Sequence, residues 1–148
     1  MTAIGTTPFG LLTYAESYGR AAFLIVRAID EGARMPWSVP VGTLARHCVE
    51  LSLKSVLVIN GTSPDELHHV YGHSIKELFA ESPLDWSDVD TNDIEFDNDA
   101  VLSQTPCYRK HDRPYYILHK EHLLPFMETV FHRCLQYVDP KAKRTLRP

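Results

Sequence analysis

The sequence is poor in the features that mark several function classes. It has three cysteines, Cys48, Cys107 and Cys134, an odd number without C-x-x-C spacing. A disulfide framework using all of them is excluded, as is a C-x-x-C zinc ribbon. No apolar run approaches the roughly 20 residues of a membrane span, and residues 1–9 lack the basic start and apolar block of a secretory signal. Gly-rich phosphate loops and nucleophile elbows are missing, so no cofactor is expected. Excess positive charge is missing too: the formal net charge of -4 gives no general attraction to nucleic acid or membrane. A polyanion would have to be met by a local basic patch. Together these absences predict a soluble, cytoplasmic protein with no membrane partner and with reduced thiols, Cys48 and Cys134 falling on apolar helix faces.

What is present is helical periodicity. With 44% hydrophobic and 23% charged residues, the 148-residue chain fits one globular domain, 1–148, around one core. Leu11, Ala15, Tyr18, Ala22, Ile25 and Ile29 alternate spacings of four and three, widened by Leu12 and Val26, which predicts a first helix over about 9–32. Arg20, Arg27 and Arg34 run along one side of it, either as a solvated stripe or as contacts to phosphate or an acidic partner. Pro36 and Pro40 punctuate the connection, with Ser38 or Thr43 as the next cap.

The second helix, Leu44 to Ile59, is apolar on most faces: Leu44, Cys48, Leu51, Ser55 and Val58 form one seam, and Leu53, Val56, Leu57 and Ile59 cover the others. Such a helix must be surrounded by protein. Its charges fall in one row, Arg46, Glu50 and Lys54, at i, i+4 spacing where they can pair. Asn60-Gly61 supplies a left-handed stop. Ser63-Pro64-Asp65-Glu66 combines an N-cap, a first-turn proline and a capping-box glutamate, opening a third helical region interrupted near Gly72 and ending at Pro83.

An acidic insert follows at about 84–106, with Asp85, Asp88, Asp90, Asp93, Glu95, Asp97 and Asp99 and little periodicity, read as a solvated loop or small hairpin; Tyr115–Leu118 can be a short strand, giving a small β element within 94–118. Leu123, Met127, Val130, Cys134 and Tyr137 define a last helix in which Pro125 is tolerable only in the first turn. Lys141, Lys143, Arg144 and Arg147 form a basic tail over 140–148. The expected fold is all-α, an antiparallel four-helix bundle with the acidic insert before the last helix.

The segment Ala45–Gly61 (ARHCVELSLKSVLVING) resembles the second helix of HEPN (higher eukaryote and prokaryote nucleotide-binding) domains, with Glu50, Lys54 and Gly61 matching its glutamate, lysine and glycine. Gly72–Leu78 (GHSIKEL) is similar to the Gly-His opening of that family's third helix, with His73 in the histidine position. The resemblance covers residues 9–80 best. It implies a HEPN-like bundle, often dimeric, that binds RNA or nucleotide, and in active members a metal-independent ribonuclease of toxin–antitoxin or defence systems, with an antitoxin-like partner. Such members carry an arginine, usually followed by a polar residue, and a histidine four to six residues on. His moves protons and Arg stabilises charge on the phosphorane. Here the pair is Arg113 and His119 in RPYYILH, with Pro114 replacing the polar residue. Arg109, Lys110 and His111 lie just before it and complete the candidate RNA contacts, while Glu50, Lys54 and His73 are the candidate ligand-facing residues of the helical core.

Each of these residues also has a plainer reading. Segment 108–113 can be a basic loop paired with the acidic insert, and Glu50 and Lys54 can be an ion bridge that orients the bundle. His69 and His73 have i, i+4 spacing, but no H-E-x-x-H accompanies them and Gly72 weakens the helix between them. Asp88-Val-Asp90-Thr-Asn92 begins like a calcium loop but has Asp93 at the glycine position and Asp99 at the final glutamate position. No metal is expected. A silent dimerisation or protein-interaction module is the alternative function.

Overall fold

The computed structural model describes residues 7–32, 38–72, 74–89 and 120–148. Every regular element among them is helical: α1 (Pro8–Asp30), α2 (Ser38–Ile59), α3 (Pro64–Glu66) continuing into a π-helical turn (Leu67–Tyr71), α4 (Ile75–Glu81) and α5 (Lys120–Val138). The β element expected within 94–118 lies outside the described residues.

α1 starts where Thr7 caps it, its hydroxyl accepting from the Gly10 amide at 3.0 Å, with Pro8 in the first helical position. Its buried face is Leu11, Leu12, Ala15, Gly19, Ala22 and Val26. Tyr18, Ile25 and Ile29, expected on the seam, are only half-buried. The helix is thus turned towards Leu12, Gly19 and Val26: α2 approaches it closely over Gly19, where a Cβ would lie 3.0 Å from Cys48 Sγ.

α2 begins at Ser38, so Pro40 does not interrupt the connection as the sequence suggests but stands third in the helix. Amides of the first turn have no intrahelical acceptor, so a proline there removes no hydrogen bond. The helix is buried almost all round: Val41, Ala45, Cys48, Val49, Leu53, Val56 and Leu57 are core residues. Its buried hydroxyls bond back to the helix, Ser52 Oγ donating to the Cys48 carbonyl at 2.7 Å and Ser55 Oγ to the Ser52 carbonyl at 2.6 Å. Gly61, at φ 100°, ends it: the Gly61 amide donates to Val58 O and the Thr62 amide to Leu57 O, the paired bonds of a Schellman motif.

The capping box forms as the sequence predicts, Ser63 Oγ accepting from the Glu66 amide and Glu66 Oε2 from the Ser63 amide. The break near Gly72 is a π-turn closed by the Gly72 amide on Leu67 O at 3.1 Å. α4 then buries Ile75, Leu78 and Phe79.

α5 begins at Lys120, which places exposed Pro125 sixth in the helix rather than in its first turn. The proline removes one ladder bond, but Leu123, Leu124, Met127, Val130, Phe131, Cys134, Leu135 and Val138 are all buried and hold the helix through the defect. α1, α2 and α5 pack on one another, and the shorter α4 lies on α2. No helix among the described residues is long and apolar enough to cross a membrane.

Candidate functional site

The row of charges on α2 closes into a buried chain. Lys54 Nζ donates to Glu50 Oε1 at 2.7 Å, and Arg46 Nη1 lies 3.5 Å from the other carboxylate oxygen. The Glu50 side chain is 3% exposed and that of Lys54 13%, so the carboxylate is enclosed between its two cations. Lys54 also donates to the carbonyl oxygen of Gly72 at 2.8 Å. One carboxylate shared by two cations four residues to either side, plus a carbonyl for the lysine, meets the main electrostatic needs of a charged row in an apolar interior. Chemically the row is a brace. It fixes the π-turn to the central helix.

Beside the row, His47 stacks on Tyr18 of α1 with ring centroids 4.9 Å apart and planes at 26°. Both are half-buried; Tyr18 belongs to the predicted seam of α1, but periodicity gives no sign of His47 as its partner, because the stack joins residues of two helices. His68 and His69 on the π-turn are exposed and meet edge-on at 5.0 Å. Among the described residues no three His, Cys, Asp or Glu side chains come together as metal ligands.

Of the residues expected to carry function, Glu50 and Lys54 are brought together. Arg109, Lys110, His111, Arg113, His119 and His73 lie outside the described residues. So does most of the acidic insert, but its first part is described. Asp88 is bound by Arg133 of α5, Nη1 on Oδ1 at 2.8 Å and Nη2 on Oδ2 at 2.9 Å. The same guanidinium donates to the Asp85 carbonyl and lies 5.0 Å from the centre of the Trp86 ring, which meets Phe79 edge-on at 5.2 Å. Asp88, the first residue of the calcium-like pattern, is therefore committed to Arg133. That contact lowers the Asp88 pKa, chiefly through the hydrogen bonds from the guanidinium.

The expected basic tail is not simply solvated. After α5 the chain turns back through Ala142 N on Asp139 O and lays Leu146, fully buried, against Gly19. Arg20 and Arg27 are paired locally, with Glu16 and Glu31; Arg34 lies outside the described residues.

The thiols of Cys48 and Cys134 are buried and free. Desolvation pushes the Cys48 thiol up to about 12 and raises that of Cys134 as well, so both stay neutral and unreactive near neutral pH. Comparison with protein-family models, with curated proteins and with solved structures finds no match.

Proposed function

We propose that the protein is a HEPN-like helical bundle that binds RNA or nucleotide through the basic stretch Arg109, Lys110, His111, Arg113 and His119, with a metal-independent ribonuclease activity as the fullest form of that function. One observation carries the reading. The residues that bear the resemblance, Glu50 and Lys54 on α2 and Gly72 at the head of the Gly-His pair, are joined in a single buried chain of 2.7 Å and 2.8 Å contacts. A motif whose separated parts meet physically is better explained as one inherited device than as three coincidences of spacing. The brace itself performs no chemistry. It anchors a rigid scaffold from which the basic stretch is presented, with Arg113 stabilising phosphorane charge and His119 moving the proton. A second copy of the chain and an antitoxin-like protein are the expected protein partners.

The test is incubation of purified protein with a mixed RNA pool, in the presence of a chelator, beside the His119→Ala and Arg113→Ala variants. Cleavage lost in both variants supports the ribonuclease form. Binding without cleavage, weakened by Arg109→Glu and Arg113→Glu, supports the binding form alone.

A second reading, the dimerisation module, is favoured by the outward side of α1. There Gly10, Tyr14, Ser17, Ala21, Leu24 and Ala28 alternate four and three without a charge, and Tyr14 and Leu24 are about half exposed, at 51% and 52%. A stripe of that period matches a second copy of itself. A monomeric mass in solution contradicts this reading and the second copy expected in the first, and leaves RNA binding by the basic stretch to its own test.

A further inference from the structure

The segment after α5 is attached by two kinds of contact. One is apolar: Leu146 is fully buried, and a Cβ built on Gly19 would lie 2.8 Å and 2.9 Å from its two methyl groups and 3.0 Å from Cys48 Sγ. A side chain at position 19 would push the leucine out of its place, so glycine leaves the notch that Leu146 fills, with a cysteine thiol in its floor. The other kind is polar and lies at the surface. Arg20 Nε donates to the Thr145 carbonyl at 3.1 Å, and Arg144 Nη1 reaches Glu16 Oε2 at 3.3 Å. Arg147 binds Glu128 bidentately, Nε on Oε2 at 2.8 Å and Nη2 on Oε1 at 2.9 Å, with its guanidinium 5.5 Å from the Phe23 ring centre.

We propose that residues 139–148 form a releasable clasp, in which Leu146 plugs the Gly19 notch and its opening uncovers Cys48 without unfolding of the helices. The clasp has one fully buried apolar anchor, Leu146, with Ala142 partly buried beside the core and the Arg147 guanidinium over the Phe23 ring; its other attachments are ion pairs and a charge-assisted hydrogen bond, each weak and screened by salt where it meets water. The helices beneath it rest instead on the continuous core of α1, α2 and α5. A segment with few buried contacts on a well-buried base opens as its own unit, at lower free energy than the whole domain. Leu146 and Cys48 Sγ converge on the same point over Gly19, 2.8 Å and 3.0 Å from a Cβ built there, so departure of the plug opens the notch on whose floor the thiol lies.

Labelling of the full chain with N-ethylmaleimide, followed by peptide mapping that resolves Cys48 from Cys107 and Cys134, tests this. For a clasp, Cys48 labelling in the wild type varies little with sub-denaturing urea and rises severalfold in 0.5 M NaCl. The Arg144→Glu/Arg147→Glu double variant raises it severalfold and Leu146→Ala at least tenfold, with the same shallow urea dependence. If Leu146→Ala fails to fold, the wild-type salt series and the arginine variant decide the matter. The proposal is overturned if Cys48 labels only with the steep urea dependence of global unfolding and responds to neither salt nor the arginine changes.

Discussion

Lys54 on α2 and Gly72, eighteen residues further along, are joined by a 2.8 Å hydrogen bond from the ammonium to the carbonyl oxygen. The bond ties the end of the π-turn to the central helix, and it depends on Glu50 holding the ammonium from below at 2.7 Å. The positions of three residues separated in sequence are thus set by one buried carboxylate.

That arrangement ranks the cost of substitutions. Glu50→Gln leaves Arg46 and Lys54 without their shared counter-charge and is expected to destabilise by roughly 3–5 kcal/mol, the usual cost of breaking a buried ion pair from one side. Lys54→Met removes a partly exposed cation while Arg46 remains beside the carboxylate, and is expected to cost less. Urea denaturation of the two variants checks the order. Equal and small losses would mean that the row is solvated in solution.

The sequence made much of this legible, for a physical reason. Periodicity, capping and charge spacing are local, so the burial of α2, the Ser63 capping box, the Gly61 stop and the Arg46–Glu50–Lys54 row could all be read from neighbours within one or two turns. The contacts that escaped are long-range. Nothing near Gly19 announces that Leu146 will lie on it, and nothing near Asp88 names Arg133 as its partner. Pro40 and Pro125 lie deeper in their helices than propensity predicts for a related reason: Val41 of α2 and Leu123 and Leu124 of α5 are buried beside them, and packing outweighs local preference. The chemistry expected of Arg113 and His119 rests on the family resemblance and on residues beyond those described.

The Asp88–Arg133 contact predicts a loosening in acid. Because the folded pKa of Asp88 is lowered, by the guanidinium hydrogen bonds first, its stabilisation is present above the ordinary carboxylate range and is lost as pH falls through and below it. Trp86, pinned by the same arginine, reports the change. In a Trp37→Phe background its fluorescence is expected to shift at acid pH before the far-ultraviolet circular dichroism does. Asp88→Asn is expected to show the shifted signal already at neutral pH. Identical spectra for the two proteins at pH 7 would remove the contact from the account.

At alkaline pH the buried thiols set the sign. Burial pushes Cys48 from its ordinary 9.0 up to about 12, so the unfolded chain gives up its proton first. The stabilisation is complete below about pH 9 and is lost as pH rises through the interval to about 12. The loss is at most about 1.4 kcal/mol per pH unit for each thiol. Cys48→Ala is expected to flatten the alkaline limb of the stability profile, whatever it costs at neutral pH. An unchanged slope between pH 9 and 10.5 would show that Cys48 does not carry the effect.

Fluorescence anisotropy with a labelled mixed-sequence RNA reads out whether the braced helices and their basic stretch bind RNA as proposed. Binding by the wild-type chain is expected to weaken with added salt and to fall at least tenfold in the Arg109→Glu/Arg113→Glu variant, with helical content and urea midpoint matching the wild type. Absence of binding at low salt, or binding that the double variant leaves unchanged, would contradict the proposal.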